Sequence, residues 1–305
     1  MNLEWPIMSV SVVIPAYNAE LYLEETVKSA LSQSFRGDLE VIIVNDGSTD
    51  LTEAVAQALS IDDTRVIYVK QANGGPSKAR NRGIDLAHGE WIAFLDADDQ
   101  WKPEFLAQAL VEAKKNAADG IIVPAERFIE IPGDDKERYG PSVEYSRNLP
   151  SSLLSGIPFA PCMVLARTEI VRAVGGFRGG DIFWEDWDFW IRFAESGGRL
   201  VSIEGMPLAF YRRSPNSRSS DALNCFEKSL ATVKLHWNSP LARGPVKRRA
   251  RAKFLRYLAK NSNGYGKKLA FFFKALLADP SGFRNWGILL AGLIGHPTAK
   301  SKPQR

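Results

Sequence analysis

Three acids that follow an apolar segment have the types and spacing to bind a metal ion. Residues 91–95 are apolar and run directly into Asp96-Ala97-Asp98-Asp99. Carboxylates so close together repel one another unless a cation binds them. Oxygen ligands without a neighbouring His or Cys group suit a hard cation such as Mg²⁺ or Mn²⁺, which keeps part of its water shell and binds phosphates. The loop therefore predicts a cation site for a phosphorylated substrate.

A second group of acids, Glu185, Asp186 and Asp188, lies in the aromatic segment 184–193. A carboxylate placed there could act as a general base and take a proton from a substrate hydroxyl. On a helix, Asp188 and Arg192 are four residues apart and predict a surface ion pair. Asp186 points about 160° away from Asp188 and can face a different neighbour. The alternative is an acidic cap on an aromatic core helix.

Polar loops after two earlier apolar segments could bind the rest of such a substrate. Pro15-Ala16-Tyr17-Asn18 follows residues 10–14, and Asn45-Asp46-Gly47-Ser48 follows residues 39–44. The Asp46 carboxylate could accept hydrogen bonds from a nucleobase or a ribose. Since the sequence has neither G-x-G-x-x-G after the first strand nor G-x-x-x-x-G-K-[ST], a dinucleotide-binding fold and a P-loop ATPase are not supported.

The elements that must position these loops alternate between strands and helices. Strands are predicted at residues 10–14, 39–44, 66–69, 91–95 and 121–123, and helices at residues 20–31, from 50, at 77–87 and from 103. The alternation predicts an α/β fold with a mostly parallel central sheet and helices on both faces. In open sheets of this class, ligands bind beyond the carboxyl ends of the strands, where all of these loops lie.

The charge of the chain divides it into two parts. Residues 221–305 contain 17 Lys and Arg against three acids, a net charge of +14, whereas residues 1–220 have a net charge of −10. Helices are predicted at 224–237, 246–261 and 267–278. We therefore expect a catalytic domain over residues 1–220 and a basic helical segment over residues 221–305, which could face an anionic membrane surface. A basic surface without a partner is the alternative.

Composition excludes several classes of protein. The chain has 305 residues, of which 45% are hydrophobic and 24% charged, so general disorder is excluded. Two cysteines cannot form a disulfide scaffold. Residues 1–8 lack the features of a secretory signal, and the apolar run 286–295 is half the length that a spanning helix needs. We therefore expect a cytoplasmic protein, peripheral on the membrane if the basic segment binds lipid.

Five motifs in order resemble those of family 2 glycosyltransferases, which are inverting enzymes with the GT-A fold. The motifs are Pro15-Ala16-Tyr17-Asn18, Asp46-Gly47-Ser48, Ala79-Arg80-Asn81-x-Gly83, Asp96-Ala97-Asp98-Asp99 and Glu185-Asp186. The resemblance covers residues 9 to 220 and leaves out the basic segment. It implies that a sugar is transferred from a nucleotide-sugar donor, with UDP-sugars the most common, to a saccharide or lipid-linked saccharide acceptor in cell-surface polysaccharide or glycolipid assembly.

The resemblance also implies a role for each matching residue. Tyr17 would stack on the nucleobase, Asp46 would bind its edge, Arg80 would lie beside the nucleotide, and Asp96 would contact the ribose or the water shell of the metal. The predicted nucleotide-sugar site consists of Pro15, Tyr17, Asn18, Asp46, Arg80, Asp96 and Ala97.

For the metal, the resemblance implies one ligand, Asp98, to Mn²⁺ or Mg²⁺ bridging the two phosphates. Many relatives have a histidine where Ser214 stands, and in some enzymes with the GT-A fold that histidine ligates the metal. Since it is absent here, the diphosphate would complete the shell.

The family pattern places the base at the second acid of Glu185-Asp186, and we therefore predict Asp186 as the catalytic residue. Trp184, Glu185 and Trp187 are predicted as a wall for the sugar or the acceptor.

Two other classes of protein remain as alternatives. A nucleotidyltransferase can share the fold and the acidic loop, but it needs a basic pyrophosphate-binding loop after the first strand, where residues 15–20 contain no Lys, Arg or Gly. A non-catalytic sugar- or membrane-binding protein would not need acids at all three of the places described above, namely Asp46, the loop 96–99 and Glu185-Asp186. No nucleic-acid partner is expected, because no nucleic-acid-binding motif is present.

Overall fold

The computed structural model describes residues 8–128, 137–180 and 184–213, together with isolated residues between 232 and 277. The chain divides into two compact units, Met1–Asp221 and Ala222–Arg305. In the second unit, most of the three predicted helices lies outside the described residues. Of the residues described within them, Thr232, Ala252 and Lys274 are helical, whereas His236 is in a turn.

Strands and helices alternate through the first half of the first unit, as the hydrophobic pattern predicts. The described strands are β1 (Ser9–Ala16), β2 (Asp38–Asn45), β3 (Val66–Lys70), β4 (Trp91–Phe94), β5 (Gln100–Trp101), β6 (Gly120–Ile122), β7 (Ala125–Phe128), β8 (Glu137–Tyr139), β9 (Val164–Arg167), β10 (Leu200–Ser202) and β11 (Ala209–Arg212). The described α-helices are α1 (Leu23–Leu31), α2 (Thr52–Asp62), α3 (Pro76–Leu86), α4 (Phe105–Asn116), α5 (Val143–Arg147), α6 (Thr168–Ala173) and α7 (Glu185–Glu195). Short 3₁₀ helices lie at Ser151–Ser155 and Pro161–Met163.

The central sheet has seven strands in the order β10-β6-β9-β4-β1-β2-β3. Strands β4, β1, β2 and β3 are parallel neighbours, and β10 is parallel to β6. Strand β9 lies between β4 and β6 and is antiparallel to both. The sheet is therefore mostly parallel, as expected. The alternation of strands and helices could not show that β9, which follows β6 in the chain, lies between β4 and β6 in the sheet.

Burial explains why the central strands form and how α3 packs on them. Val12, Val13 and Ile14 of β1 are fully buried. A near-continuous apolar run of this kind is typical of a parallel strand that is covered on both faces. Gly83 of α3 is so close to β1 that an added Cβ would lie 2.2 Å from a methyl group of Val13. Glycine at this position therefore lets α3 approach the sheet.

A second sheet, with strand order β5-β11-β7-β8, begins directly after the acidic loop 96–99. Strand β5 pairs with β11 through Gln100 and Phe210, and β11 pairs with β7. Part of the stretch 126–160, whose prolines and glycines are typical of loops, is thus a strand pair. Because β5 follows the acidic loop without a gap, this sheet places β11 against that loop.

Asp50 and Glu53 are three residues apart, which is the pattern of a capping box at the start of α2, but they do not form one. Helix α2 begins at Thr52, whose backbone N–H donates to Asp50 Oδ1 at 3.0 Å. The Glu53 carboxylate instead accepts from Lys70 Nζ at 2.5 Å. Asp50 thus satisfies an N–H in the first turn, while Glu53 forms an ion pair with β3.

Candidate active site

The loops after β1 and β2 are joined by hydrogen bonds at the carboxyl edge of the sheet. The backbone N–H of Asn18 donates to Ser48 Oγ at 3.1 Å, and Asn18 Oδ1 accepts from the N–H of Thr49 at 2.9 Å. Asn18 has a φ of 48°, a left-handed conformation that Asn tolerates better than most residues. The Tyr17 side chain lies in the same loop with 53% of its surface exposed, so it is accessible to a ligand.

Asp46 is buried and holds the loop between β3 and α3. Its Oδ1 accepts from Gln71 Nε2 at 2.7 Å and from the backbone N–H of Gly74 at 2.9 Å, and its Oδ2 accepts from the N–H of Gly75 at 2.8 Å. The next residue, Gly47, has a φ of 70° and lies against the backbone of Asn73. A carboxylate has about four acceptor positions, so Asp46 can accept a further hydrogen bond.

The loop acids Asp96, Asp98 and Asp99 differ in their surroundings. The Asp96 side chain is 27% exposed and forms an ion pair with Arg80. Burial, together with the charge of Asp96, raises the pKa of Asp98 to about 6. Asp99 is fully buried, and burial together with its acidic neighbours raises its pKa well above the usual value, which favours the neutral acid. Asp98 is therefore a partly exposed loop acid whose ionised form a bound cation would favour.

Arg212 at the end of β11 fixes the acidic loop. Its backbone N–H donates to Asp99 Oδ1 at 2.9 Å, and its Nε donates to the carbonyl oxygen of Asp98 at 3.0 Å. Its guanidinium carbon lies 4.1 Å from the Tyr22 ring centroid and 4.5 Å from that of Phe128. Sequence reasoning missed this role, because 113 residues separate Arg212 from Asp99 and no local pattern marks the contact.

The helix acids Glu185, Asp186 and Asp188 lie in the first turn of α7 and also differ from one another. Burial raises the pKa of Asp186 to about 6, with a further contribution from the charge of Glu185. Asp188 is fully buried and accepts from Arg192 Nε at 2.8 Å and from Arg178 Nη1 at 3.3 Å. The predicted pair of Asp188 with Arg192 thus exists, but it is buried rather than on the surface. Arg192 also donates to backbone carbonyl groups at residues 174 and 176. It thereby anchors residues 175–180, the glycine-rich turn.

Arg80 joins the two groups of acids. It lies on α3 with 4% of its surface exposed. Its Nη2 donates to Asp96 Oδ1 at 2.6 Å, and its Nη1 lies 3.4 Å from Glu185 Oε1. The acidic neighbours raise its pKa although burial alone would lower it. Arg80 and Glu185 are 105 residues apart along the chain. Because Arg80 contacts an acid of each group, the loop acids and the helix acids form one site.

Asn81, next to Arg80, holds the glycine-rich turn that precedes α7. Its side-chain amide donates to the carbonyl oxygen of Phe177 at 2.8 Å and accepts from the Phe177 N–H at 2.7 Å. Phe177 in turn packs edge-on against Phe94 of β4. The sequence motif that contains Arg80 and Asn81 thus fixes α7 relative to the sheet.

The aromatic side chains near Asp186 are of two kinds. Trp187 is 4% exposed and donates its indole N–H to the Leu153 carbonyl oxygen at 2.6 Å, so most of this predicted wall residue packs in the core. Trp184 is partly exposed. Tyr139 and Tyr211 of the second sheet are also partly exposed, and their stacked rings have centroids 5.4 Å apart. Only the tertiary structure reveals this tyrosine pair.

The model of the family described as "Glycosyl transferase family 2" matches residues 11–175. The chain belongs to the family 2 glycosyltransferases. An uncharacterized glycosyltransferase of Haemophilus influenzae is 38% identical over 235 residues, which are 75% of this chain and 87% of that protein. The family resemblance of the sequence motifs is thereby confirmed, and the protein is an enzyme of the glycosyltransferase class.

A second relative of this glycosyltransferase has a more specific name. The GalNAc(5)-diNAcBac-PP-undecaprenol beta-1,3-glucosyltransferase of Campylobacter jejuni is 40% identical over 113 residues, 36% of this chain and 35% of that protein. The chain spans between 16% and 58% of the length of the first curated relatives it matches. These relatives therefore support the family more strongly than a particular substrate.

Solved structures show that this glycosyltransferase has the GT-A fold. S. aureus TarS 1-349 in complex with UDP-GlcNAc has a TM-score of 0.66 at 20% identity, covering 93% of this chain and 87% of that chain. The mannosyltransferase PcManGT from Pyrobaculum calidifontis, in complex with GDP-Man and Mn²⁺, has a TM-score of 0.58 at 19% identity, covering 93% and 84%. The predicted fold class is confirmed.

Two further observations bear on metal and membrane binding by the glycosyltransferase. Across the described ranges, no group of three or more His, Cys, Asp and Glu side chains is placed to hold a metal ion. No helix within the same ranges is long and apolar enough to cross a bilayer. Ser214, the position at which many relatives have histidine, lies outside the described residues.

Proposed function

We propose that this enzyme transfers a sugar from a nucleotide-sugar donor to an acceptor hydroxyl by metal-dependent, inverting displacement. The observation that carries the proposal is the joining of the loop acids to the helix acids through Arg80. One acid of each group, Asp98 and Asp186, has a pKa raised to about 6. Direct displacement needs a positive charge on the leaving-group side and a carboxylate on the acceptor side, and these two groups could meet both needs.

The nucleotide would bind along the edge formed by the loops after β1, β2 and β4. Tyr17 offers an exposed ring for stacking, and Asp46 retains an acceptor position for a base N–H. Asp96 would contact the ribose. Pro15, Asn18 and Ala97 would shape the backbone of this site. TarS in complex with UDP-GlcNAc supports a UDP-sugar as the donor.

A divalent cation suits the residues of the acidic loop. Burial chiefly, and the charge of Asp96, raise the pKa of Asp98, while the charge of Arg212 lowers it. A cation at this position would favour the ionised carboxylate. Asp98 would hold Mn²⁺ or Mg²⁺, and oxygen ligands favour either ion. When bound, the cation would act as a Lewis acid that offsets the charge of the departing diphosphate. The loop itself is kept in place by Arg212.

Asp186 would serve as the base. Asp188 is held by Arg192 and Arg178, and Glu185 by Arg80, whereas the Asp186 carboxylate accepts from the adjacent backbone N–H of Trp187 at 2.8 Å. Asp186 would accept the proton of the acceptor hydroxyl as that oxygen attacks the anomeric carbon. A pKa of about 6 keeps most of the carboxylate ionised at neutral pH.

The acceptor would lie beside Asp186, between Trp184 and the stacked rings of Tyr139 and Tyr211. The charge of Asp186 contributes to the raised pKa of Tyr139, about 12, for which burial is the main cause, so the two side chains are close in space. A saccharide or a lipid-linked saccharide is the proposed acceptor. The name of the Campylobacter jejuni relative, which contains a PP-undecaprenol acceptor, supports the lipid-linked class and a role in glycolipid or polysaccharide assembly.

We place the enzyme in the cytoplasm, held peripherally on an anionic membrane face by residues 221–305. This segment has a net charge of +14. Phe273 and Leu277 are 55% and 84% exposed and lie four residues apart, so they share one side of a helix. Each Lys or Arg near anionic lipid contributes about 1 kcal/mol, and exposed apolar side chains add to the attraction.

Vesicle co-sedimentation of the full chain tests the membrane proposal. Binding to phosphatidylglycerol-containing vesicles should exceed binding to pure phosphatidylcholine and fall as salt rises, because the Debye length shrinks to about 8 Å at physiological ionic strength. Replacing Lys247, Arg248, Arg249 and Arg251 with Gln should weaken binding, whereas replacing Lys114 and Lys115 of α4 should not. Equal binding to both lipids would contradict the proposal.

A screen of nucleotide-sugars tests the catalytic proposal. Release of nucleoside diphosphate from UDP- and GDP-sugars should require Mn²⁺ or Mg²⁺ and should be nearly lost in Asp186→Asn. The anomeric configuration of the product, read by NMR coupling constants, should be inverted. Retention of configuration, or turnover that is unaffected by chelation of divalent ions, would contradict it.

A further inference from the structure

Arg80 is placed where it cannot serve as an ordinary ligand-binding arginine. Its side chain is 5% exposed, and its two terminal nitrogens are directed at Asp96 and Glu185, 2.6 and 3.4 Å away. The guanidinium carbon lies 5.3 Å from the ring centroid of Phe177. A planar guanidinium can contact two carboxylates at once, which the single ammonium of lysine does less well. Any effect of Arg80 on a bound nucleotide would therefore pass through Asp96.

The charges around Arg80 are unequal in number. Asp96, Glu185 and Asp186 carry three negative charges when ionised, and Arg80 carries one positive charge, so the group has a net charge of −2. The charges of Glu185 on the same helix, Arg80 on α3 and Asp96 in the acidic loop act on Asp186. The charge of Asp186 also acts on Tyr139 of β8. Burial and the two other acids raise the pKa of Asp186, and the charge of Arg80 opposes them.

We propose that Arg80 is a positioning residue that ties the acidic loop to α7 through Asp96 and Glu185 and thereby holds a positive charge next to the turn that carries Asp186. The proposal rests on the proposed function, because it takes Asp186 as the base. It differs from the predicted place of Arg80 beside the nucleotide. On this view Arg80 touches neither substrate, and its two carboxylate contacts fix the separation between the donor loop and the base.

The net charge of the group predicts how the pKa of Asp186 differs among variants. Arg80→Gln changes the net charge from −2 to −3, Glu185→Gln changes it to −1, and the double variant returns it to −2. The pKa of Asp186 should therefore rise by about one pH unit in Arg80→Gln. It should fall in Glu185→Gln and return close to the wild-type value when both substitutions are combined.

The titration can be measured without any donor, acceptor or metal. Protein labelled with ¹³C at the aspartate carboxyl carbons gives the Asp186 titration by NMR, and Asp186→Asn assigns the signal. An unchanged Asp186 titration in folded Arg80→Gln would overturn the proposal. Arg172→Gln is a matched control, since Arg172 Nη2 donates to the carbonyl oxygens of Ile84 and Ala87 at the end of α3. It should lower the melting temperature and leave the titration unchanged.

Arg80→Lys separates the positioning role from the charge and remains available if Arg80→Gln does not fold. The variant keeps the positive charge, so the acid limb of the pH–rate profile should stay within about half a pH unit of wild type. Because one ammonium does not span both carboxylates, kcat should fall about ten- to a hundredfold, with the donor KM nearly unchanged. Full kcat in Arg80→Lys would overturn the positioning role.

The two proposals fail in different ways. The predicted titration order in a protein that turns over no nucleotide-sugar would remove the proposed function and leave the charge linkage in place. Sugar transfer with a wild-type pH profile and kcat in Arg80→Gln would support the proposed function and contradict the role of Arg80.

Discussion

The loop acids and the helix acids have the same internal arrangement although they lie on different elements. Each group contributes one acid to Arg80, Asp96 from the loop and Glu185 from the helix. Each also contains an acid whose pKa is raised to about 6, chiefly by burial, namely Asp98 and Asp186. These two acids are the ones proposed to bind the cation and to accept the proton.

The two groups differ in whether the charge of their third, fully buried acid is compensated. Asp188 is paired with Arg192 and Arg178, so its negative charge is compensated. Asp99 receives a backbone N–H from Arg212, but its neighbours are acids, and its raised pKa favours the neutral form. Burial and acidic neighbours thus favour the neutral form of the acid next to the proposed cation site, whereas the buried acid in the helix is a charged anchor for the glycine-rich turn.

The comparison is tested most strongly by Asp186→Asn and Asp188→Asn. Asp186→Asn should leave donor binding intact and reduce transfer by about 10²–10⁴-fold, the scale expected for loss of a general base. Asp188→Asn should instead destabilise the fold by about 3–5 kcal/mol, because the substitution leaves Arg192 buried without a charged partner. Chemical denaturation and transfer assays measure both. Folded Asp188→Asn that has lost transfer, beside active Asp186→Asn, would reverse the assignment of the base.

The corresponding pair in the loop is Asp98→Asn and Asp99→Asn. Asp98→Asn should keep the fold and weaken Mn²⁺-dependent binding of UDP by more than about tenfold, since it removes the proposed ligand. Asp99→Asn should bind nearly as wild type, because an amide replaces a group whose neutral form is already favoured. Calorimetric titration with UDP, with and without Mn²⁺ and after chelation, gives the comparison. An equal loss of Mn²⁺-dependent UDP affinity in both variants would contradict separate roles for Asp98 and Asp99.

The sequence was sufficient for the fold class and for singling out both groups of acids. Apolar runs such as residues 10–14 specify buried parallel strands, and their carboxyl ends collect the loops in any α/β sheet. The sequence was not sufficient for the partner of each acid. Arg80 lies 105 residues from Glu185, and Arg212 lies 113 residues from Asp99. Side-chain partners so distant along the chain leave no periodicity.

The acceptor side shows the same limit. Tryptophans at 184, 187 and 190 form one pattern in the sequence, but Trp187 and Trp190 are buried and Trp184 is partly exposed. The stacked tyrosines come from β8 and β11, which are neighbours only through β7. A hydrophobic stripe therefore identifies the core side of α7 better than it identifies a sugar-binding wall.

The pH dependence of transfer distinguishes the helix acids from one another. The proposed base must be ionised, so kcat/KM should fall about tenfold per pH unit below the pKa of Asp186, about 6, and level off above it. A rate profile between pH 4.5 and 8 with saturating Mg²⁺ gives this limb. Glu185→Gln should move the limb to lower pH, because the charge of Glu185 raises the pKa of Asp186. A limb that does not respond to Glu185 would exclude Asp186 as its source.

The aromatic pair beside the helix acids should affect the acceptor more than the donor. Tyr139→Leu removes the ring that stacks on Tyr211 and should raise the acceptor KM several-fold, whereas Tyr139→Phe should have little effect. Donor hydrolysis in the absence of acceptor serves as the control and should not change. An equal increase of both KM values would place the pair outside the acceptor site.

The smallest expected effect is on stability, and its sign differs between Asp186 and Asp188. The folded-state pKa of Asp186, about 6, lies above the unfolded value of about 3.9. The folded state therefore binds the proton more tightly, and the stability from this group is present at low pH and is lost as the pH rises through 6. Asp186→Asn should raise the melting temperature at pH 7.5, with each 1 kcal/mol gained giving about 2–4 °C, and the gain should disappear near pH 4.

Asp188→Asn should lower the melting temperature at both pH values, since its partner arginines remain charged. Thermal unfolding of the two variants at pH 4 and 7.5 measures the difference. A loss of stability in Asp186→Asn at pH 7.5 would show that this carboxylate is a compensated anchor like Asp188 and not an acid kept under electrostatic strain for catalysis.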